Sequence, residues 1–311
     1  MIRFSIVIPL YNKNKCILKT LNSIKNQNYQ DYEVVIVNDG STDNSKEVVE
    51  NFIEKLNLEI KQKFKLFNKD NSGVSSTRNY GVKNSSYDYI AFLDADDYWE
   101  ENHLLNFVNL IDIYSDKVDM FSNASKQFQN GKFIFPKLSD YENYIGIVDY
   151  FKVSLISNGF INSSSVCVKK NIMNNNLFPL GMKNFEDMIT WARIANNKGF
   201  AFSSEQTSIY VIDNAEASSH INFENYLKYE ELLNKINYSY FKLKMYSIKF
   251  FLLHILYARM NMNLNSYIKD SFKVFGKSFI ISTCLVIGLF FPKFILNIFR
   301  DYRKKKKDKS A

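Results

Sequence analysis

The stretch "YIAFLDADDYWEENHL", residues 89–104, places three carboxylates directly after an apolar run that is typical of a buried strand. These residues are Asp94, Asp96 and Asp97. One interpretation is an acidic helix start in which Asp97 caps the following helix. Capping leaves Asp94 and Asp96 unexplained. Carboxylates at a strand end can hold Mg²⁺ or Mn²⁺ through oxygen, with substrate phosphates completing the coordination. The pattern therefore predicts a divalent metal site.

The elements upstream place these carboxylates at the edge of a sheet. Strand patterns ("FSIVIPL", "YEVVIVNDGS", "KFKLFNKDN", "DYIAFLDADD") alternate with amphipathic helix patterns in the first half of the chain. This alternation predicts an open, mostly parallel α/β sheet flanked by helices. Ligands bind such sheets beyond the carboxyl ends of the strands. Three polar clusters, residues 9–12, 38–43 and 94–97, fall at these ends, so we predict one ligand site there.

Composition and motifs exclude several other classes of protein. No G-x-G-x-x-G follows the first strand and no G-x-x-x-x-G-K-[ST] is present, so a phosphate-bearing ligand needs another source of positive charge. The three cysteines lie far apart, without disulfide or metal spacing, which favours a reduced chain. The basic balance of +8 is concentrated at the C-terminal end. No aromatic-interleaved basic groove accompanies it, so we predict no nucleic-acid partner.

Five motifs taken together resemble the family 2 glycosyltransferases. They are "FSIVIPLYN", "YEVVIVNDGSTDNS", "NSGVSSTRNYGV", "YIAFLDADD" and "FEDMITWARIA", in the family's order and covering roughly residues 1–215. The resemblance implies the GT-A fold, a Rossmann-like nucleotide-binding arrangement with a mixed, mostly parallel sheet. It also implies inverting transfer of a sugar from a nucleotide diphosphate donor, usually with Mn²⁺ or Mg²⁺.

The resemblance also implies a set of nucleotide-sugar-binding residues: Pro9, Tyr11, Asn12, Asp39, Arg78, Asp94 and Ala95. Tyr11 is the residue expected to stack on the base. Asp39 is expected to accept a hydrogen bond from uracil N3–H, and Asn38 stands before it where the family has aspartate. Arg78 is expected near the base and pyrophosphate, although it could instead pair with Asp39 or Asp94 and orient them.

For the chemistry, the resemblance assigns Asp96 as the direct metal ligand between the two phosphates and Asp94 as a contact to the ribose or the metal. Asp187 takes the position of the general base that deprotonates the acceptor. The alternative for Asp187 is an acidic helix N-terminus favoured by the macrodipole. Glu186 and Trp191 are expected at the acceptor, with a core position as the alternative for Trp191. His220 is either a third metal ligand or an exposed loop histidine.

The C-terminal part, residues 216–311, differs from the rest in being helical, lysine-rich and aromatic. Its apolar segment, residues 278–299, contains a lysine and a proline and precedes the polybasic tail, residues 300–309. Nucleotide-sugars are cytosolic and the tail should be cytosolic too. We therefore predict an interfacial or re-entrant segment bound to anionic lipid at the cytoplasmic face of the plasma membrane. A single span and a buried core helix are the alternatives.

These observations predict a membrane-associated, metal-dependent hexosyl- or N-acetylhexosaminyltransferase. It would use a UDP-sugar and a glycan or lipid-linked acceptor in bacterial surface polysaccharide synthesis, and it could form oligomers. A nucleotidyltransferase would need a glycine-rich basic loop after the first strand, which "PLYNKNKC" does not supply. The other alternative is a catalytically silent scaffold or partner subunit, which predicts loss of the carboxylates that are present here.

Overall fold

The computed structural model describes residues 1–156, 160–182, 184–212, 223–262 and 264–290. The chain divides into two compact units, Met1–Asp213 and Asn214–Ala311. The strands of the described residues all lie in the first unit. The described part of the second unit is helical.

The strands of the first unit form one sheet in the order β3-β2-β1-β4-β9-β6-β10-β5, with β7 beside β6 and β8 beside β10. Their bounds are β1 (Phe4–Leu10), β2 (Tyr32–Asp39), β3 (Phe64–Lys69), β4 (Tyr89–Phe92), β5 (Tyr98–Trp99), β6 (Met120–Gln129), β7 (Lys132–Ile134), β8 (Ile145–Val148), β9 (Val166–Lys169) and β10 (Phe200–Ile212). The helices that flank this sheet are α1 (Ile17–Lys25), α2 (Ser45–Glu54), α3 (Leu58–Lys61), α4 (Val74–Lys83), α5 (His103–Tyr114), α6 (Tyr150–Val153), α7 (Lys170–Asn175) and α8 (Glu186–Ile194).

The predicted α/β architecture is confirmed, and the sheet is mixed. Strands β3, β2, β1 and β4 pair in parallel. The apolar runs of β1 and β2 are buried on both faces, as helices on both sides of a parallel sheet require. Beyond β4 the sheet is mixed: β9 runs antiparallel to both β4 and β6, whereas β10 pairs with β6 in parallel. Strand β9 has only four residues, too few for its sequence pattern to indicate a direction.

The second unit contains four helices among its described residues: α9 (Phe223–Leu233), α10 (Tyr240–Asn261), α11 (Leu264–Phe272) and α12 (Phe279–Phe290). Aromatic side chains fill its interior. For example, the Tyr229 and Tyr246 hydroxyls lie 2.9 Å apart, and the Tyr229 ring lies 4.7 Å from that of Phe250.

The apolar segment predicted at residues 278–299 is described only as far as Phe290, where α12 ends. The remainder of that segment and the polybasic tail lie outside the described residues. None of the helices within the described ranges combines the length and the apolar character that crossing a bilayer requires.

Candidate active site

The segment after β4, residues 94–97, is called the acidic loop here, and one of its three carboxylates has a structural role. Asp97 is buried and accepts hydrogen bonds from Ser164 Oγ at 2.5 Å and from the Val211 amide at 2.9 Å. Burial and the neighbouring charge of Asp96 raise its pKa well above the ordinary value. The interpretation that Asp97 caps a helix is wrong, because α5 begins at His103 and Asn102 precedes it. Asp97 instead ties the acidic loop to β10.

The other two carboxylates of the loop, Asp94 and Asp96, are partly exposed. The loop is held by α1, since Thr20 Oγ1 lies 2.9 Å from the Ala95 carbonyl oxygen and 2.7 Å from that of Asp97. Asp96 Oδ2 forms an ion pair with Lys13 Nζ at 2.9 Å. Burial and the charge of Asp94 raise the pKa of Asp96, although Lys13 opposes this. Asp94 and Asp96 are thus close enough for their negative charges to repel each other.

Arg78 of α4 links the acidic loop to α8. Its Nη2 donates to Asp94 Oδ1 at 2.7 Å, and its Nη1 donates to Glu186 Oε1 at 3.0 Å. Although burial opposes it, the charges of Asp94 and Glu186 raise the pKa of Arg78. The structure therefore supports the alternative in which Arg78 pairs with Asp94 and orients it. Its predicted contact to a nucleotide stays a prediction.

Asp187 stands in the first turn of α8 with its side chain partly exposed. Its Oδ2 accepts a hydrogen bond from Ser163 Oγ at 3.2 Å, and its Oδ1 accepts one from the Met188 amide at 2.7 Å. Burial raises the pKa of Asp187 despite the opposing charge of Arg78. Phe185, two residues earlier, has a φ of 67°, in the left-handed region that bulky residues rarely adopt. Strained backbone and a carboxylate with a raised pKa both occur often at functional sites, and a raised pKa allows the carboxylate to accept a proton more readily.

Two residues predicted at the acceptor lie elsewhere. Trp191 is 1% exposed and packs against Phe92 and Phe178, each with a ring-centroid distance of 5.4 Å. It belongs to the core, because its position on α8 faces the sheet, so it cannot form a platform for a sugar. Glu186 is buried and paired with Arg78, which makes it a partner of that arginine and not an exposed acceptor contact.

The predicted nucleotide-binding residues at the ends of β1 and β2 are brought together by hydrogen bonds. Asn12, whose φ is 51°, accepts a hydrogen bond from the Thr42 amide at 2.8 Å. Asp39 is buried and accepts from the Ser72 and Gly73 amides at 3.0 and 2.9 Å, and it pairs with Lys69. Both side chains shape the loops, which leaves their ligand roles as predictions.

Three more of the predicted nucleotide-sugar contacts differ in how accessible they are. Tyr11 is 46% exposed, as a stacking residue must be. Pro9 is half-buried at the end of β1. Ala95 is buried with its carbonyl oxygen bonded to Thr20, so its side chain offers a ligand little surface.

The sequence reasoning missed residues that belong to this site. Lys13 contacts Asp96, and the serine pair Ser163 and Ser164 positions Asp187 and Asp97 respectively. Tyr210 of β10 is 43% exposed, and partial burial together with the charges of nearby carboxylates, Asp97 first, raises its pKa to about 12. The sequence signal for the two serines was the run "INSSSV". Consecutive serine hydroxyls just before a strand are hydrogen-bond donors that are typical of a turn.

The donor set is compatible with a divalent cation. In the described part of the chain, no group of three or more histidine, cysteine, aspartate or glutamate side chains has metal-binding geometry. Mg²⁺ and Mn²⁺ need fewer protein ligands when substrate phosphates complete the shell, and one or two carboxylates suffice. Asp94 and Asp96 supply these, and a cation between them would relieve the repulsion that raises the pKa of Asp96. His220, predicted as a third ligand, lies outside the described residues.

A comparison with protein families agrees with this geometry. The model of glycosyl transferase family 2 matches residues 5–161, half of the 311-residue chain, and includes Arg78, the acidic loop and Lys13. The chain therefore belongs to glycosyltransferase family 2.

Among curated relatives, an uncharacterized glycosyltransferase of Rickettsia bellii is 29% identical over 217 residues, covering 66% of this chain and 28% of that protein. The poly(ribitol-phosphate) β-N-acetylglucosaminyltransferase TarS of Staphylococcus aureus is 34% identical over 114 residues, covering 36% of this chain and 19% of TarS. The chain thus spans only about a fifth to a quarter of the length of these two relatives.

Solved structures share the fold. TarS residues 1–349 in complex with UDP-GlcNAc has a TM-score of 0.69 at 21% identity, covering 93% of this chain and 82% of that one. A mannosyltransferase of Pyrobaculum calidifontis in complex with GDP-Man and Mn²⁺ has a TM-score of 0.60 at 14% identity, covering 92% and 85% of the two chains. At these identities the similarity establishes the fold, which is the mixed α/β GT-A fold.

Proposed function

We propose that this protein is a glycosyltransferase that moves a sugar from a UDP-sugar to a glycan or lipid-linked acceptor of a bacterial surface polysaccharide. The observation that carries the proposal is the convergence of the acidic loop after β4 with Asp187 of α8, joined through the pairs of Arg78 with Asp94 and Glu186. A catalytically silent scaffold has no need to hold a partly exposed carboxylate pair at a strand end and a high-pKa carboxylate beside it.

The donor class is supported by one relative, TarS. The structure of TarS was solved with UDP-GlcNAc, and the TarS sequence is 34% identical to this chain over 114 residues. The exposed Tyr11 and the buried Asp39 stand at the ends of the first two strands, where the base of a UDP-sugar would stack and hydrogen-bond. An N-acetylhexosamine or a hexose is therefore the sugar we expect to be transferred.

The proposed reaction is a single displacement with inversion. The acceptor oxygen attacks the anomeric carbon while the bond from that carbon to the phosphate oxygen breaks, and UDP leaves with the bonding electrons. Asp187 takes the proton of the acceptor hydroxyl, which requires its ionised form. Ser163 and the Met188 amide hold the carboxylate in one orientation for this transfer.

The proposal includes a divalent metal, Mn²⁺ or Mg²⁺, held by Asp94 and Asp96. When bound, it would neutralise charge on the departing diphosphate. A mannosyltransferase with the same fold was solved with Mn²⁺, which supports this part of the proposal. Lys13, which now pairs with Asp96, would provide a second positive charge next to the phosphates.

We further propose that the enzyme works at the cytoplasmic face of the plasma membrane, where a membrane-borne acceptor is reached. The support is the polybasic sequence at residues 300–309 and the exposed aromatic side chains of the second unit, Phe272, Phe279 and Phe290. A relative in Bacillus subtilis, the minor teichoic acid biosynthesis protein GgaB, is 34% identical over 119 residues, covering 38% of this chain and 13% of GgaB, which favours a teichoic-acid type acceptor.

The test is a donor screen with the purified 311-residue chain. UDP-, GDP-, CMP- and dTDP-sugars are incubated with Mn²⁺ or with EDTA, and release of nucleotide is followed. We expect slow hydrolysis of one UDP-sugar that EDTA abolishes and that Asp96→Asn removes. The matched control is Asp116→Asn, which changes an exposed aspartate remote in sequence from the site motifs.

If no donor is hydrolysed, calorimetry of UDP binding with Mn²⁺ decides the outcome. Binding without turnover supports the proposal and identifies a missing acceptor as the cause. Absence of binding contradicts the nucleotide-sugar proposal and favours the scaffold alternative.

A further inference from the structure

Within the described residues, the second unit contains a buried arginine that has no carboxylate partner. Arg259, in the last turn of α10, is 8% exposed. Its Nε and Nη1 are buried and have no hydrogen-bond partner. The described ion pairs of this unit, Lys235 with Glu231 and Lys273 with Asp270, do not involve it. Its guanidinium carbon lies 5.8 Å from the centre of the Tyr267 ring.

This arrangement is energetically unfavourable unless an anion joins it. Arginine stays protonated in proteins, and a buried ion without a partner costs several kcal/mol. The partial negative charge at the end of α10 offsets some of this cost, but the Nε and Nη1 donors remain unsatisfied. Arg78 shows the contrast, because it is also buried but forms ion pairs with two carboxylates. Arg259 therefore supplies a positive charge and two unsatisfied hydrogen-bond donors, which are the groups that bind an anion.

Helices α10, α11 and α12 pack closely together one turn before Arg259. A Cβ at Gly288 would lie 2.4 Å from Tyr267 Oη and 2.9 Å from Ile255 Cγ2. Cys284 of α12 lies beside Ile248 of α10, and Gly288 lies beside Ile255, so the two helices run in the same direction. Arg259, one helical turn after Ile255, therefore lies towards the C-terminal end of α12. That end exposes apolar surface, since Phe290 is 76% exposed.

We propose that Arg259 binds the phosphate group of an anionic lipid whose acyl chain lies against the exposed apolar side chains of α11 and α12. A planar guanidinium binds phosphate through two parallel hydrogen bonds, and Nε and Nη1 are the unsatisfied donors that would form them. Soluble phosphate would satisfy the charge but leave the apolar surface in water. At the end of α12 towards which Arg259 lies, the exposed side chains are Ile287, Leu289 and Phe290.

The inference is independent of sugar transfer, and it rests on the proposed function only for the presence of a membrane. Attraction of a basic tail to a negative surface is diffuse and screened by salt. Binding of one phosphate by a buried arginine is saturable and depends on a single side chain. The two contributions can therefore be measured separately.

The test is thermal unfolding of the 311-residue chain with three soluble probes: inorganic phosphate, dihexanoyl phosphatidylglycerol below its critical micelle concentration, and a neutral alkyl glucoside. We expect phosphatidylglycerol to raise the Tm saturably, by about 4 °C or more at high occupancy. The alkyl glucoside should not raise it, and phosphate should act only weakly. The variant Arg259→Gln should lose the phosphatidylglycerol response.

The matched control is Lys249→Gln, which removes one positive charge from an exposed position of the same helix and should keep the full response. Without lipid, Arg259→Gln should unfold at the same or a higher temperature than the parent, because an unpaired buried charge is gone. If Arg259→Gln does not fold, Arg259→Lys replaces it. Lysine keeps the charge but lacks the planar pair of N–H donors that binds phosphate through two hydrogen bonds, so the apparent affinity for phosphatidylglycerol should fall about tenfold.

Two results would overturn the inference. An unchanged phosphatidylglycerol response in Arg259→Gln would mean that the lipid binds without this residue. An equal response to inorganic phosphate would mean that the ligand is a soluble anion and that the apolar surface is not part of the site. Neither measurement uses a UDP-sugar, so failure of the transferase proposal would not affect them.

Discussion

At the scale of single residues, the carboxylates of the site differ in whether a positively charged side chain pairs with them. Arg78 forms ion pairs with Asp94 and Glu186. Among the described residues, the direct partners of Asp187 are hydrogen-bond donors, Ser163 and the Met188 amide of its own helix. Burial without a direct ion pair raises a carboxylate pKa. Asp187 is thus the carboxylate at this site best suited to accept a proton.

Replacing Asp187 with asparagine tests the base. We expect kcat/KM to fall by about 10²–10⁴-fold, the usual range for loss of a general base. Binding of UDP, measured by calorimetry, should be unchanged, because asparagine has the same shape. A variant that keeps more than a tenth of the parent activity would contradict the assignment.

The hydrogen bond from Ser163 to Asp187 should set the acid limb of the pH profile. The base must be ionised, so activity is lost as the pH falls through its raised pKa, above the ordinary 3.8. Ser163 lowers that pKa by donating to the carboxylate, so Ser163→Ala should move the acid limb of kcat/KM to higher pH. Ser163→Thr keeps the hydroxyl and serves as the control. A shift to lower pH would contradict the assignment.

Tyr210 is an exposed aromatic residue close enough to these carboxylates for their charges, together with partial burial, to raise its pKa. We expect its ring to contact a sugar. Tyr210→Ala should then raise KM about tenfold, equivalent to about 1.4 kcal/mol, while Tyr210→Phe keeps KM within about threefold. Steady-state kinetics with the identified donor and acceptor provide the measurement. Equal effects of both variants would assign the role to the hydroxyl instead of the ring.

At the scale of elements, α4 is the helix on which the site depends most. Its preceding loop donates two backbone amides to Asp39, and its middle carries Arg78. Its close approach to β1 depends on Gly81, where a Cβ would lie 2.4 Å from Val7 Cγ1. The glycine therefore sets the distance of Arg78 from the acidic loop.

Gly81→Ala should destabilise the protein. Overpacking costs about 1–3 kcal/mol, and the better helix propensity of alanine returns up to about 1, so we expect a net loss of about 1–2 kcal/mol in the free energy of unfolding. Denaturant unfolding provides the measurement. Lys83→Ala, at an exposed position on the same helix, should change it by less than about 0.5 kcal/mol.

A second variant distinguishes crowding from other causes. Adding Val7→Ala removes the methyl groups that the new Cβ would meet, so the double variant should be more stable than the sum of the two single losses predicts. Strict additivity would show that the contact with Val7 is not what makes Gly81 necessary.

At the scale of the whole molecule, charge is distributed unevenly. The net charge is +8, and the lysines at 304–307 contribute four of the positive charges within four consecutive positions. Such a cluster attracts anionic lipid headgroups, with about 1 kcal/mol for each lysine near the surface.

Replacing Lys304, Lys305, Lys306 and Lys307 with glutamine should weaken binding to vesicles that contain phosphatidylglycerol. Four lysines correspond to about 4 kcal/mol, or roughly a thousandfold in partitioning at low salt, and the difference should shrink as salt is added. Sedimentation with vesicles measures it. The control neutralises four exposed lysines of the first unit, Lys55, Lys61, Lys117 and Lys132, for the same change in net charge. Equal weakening in both variants would show that net charge acts without a localised tail.

The sequence by itself determined the alternation of β1 to β4 with their helices and the acidic loop after β4. These features depend on local periodicity and on residues at strand ends, which are close in the chain. Only the tertiary structure decided that Arg78 pairs with Glu186, 108 positions away, that Ser163 and Ser164 hold two distant aspartates, and that Trp191 is core. The direction of β9 was decided in the same way. Each of these depends on contacts between segments far apart in sequence, for which local spacing carries no information.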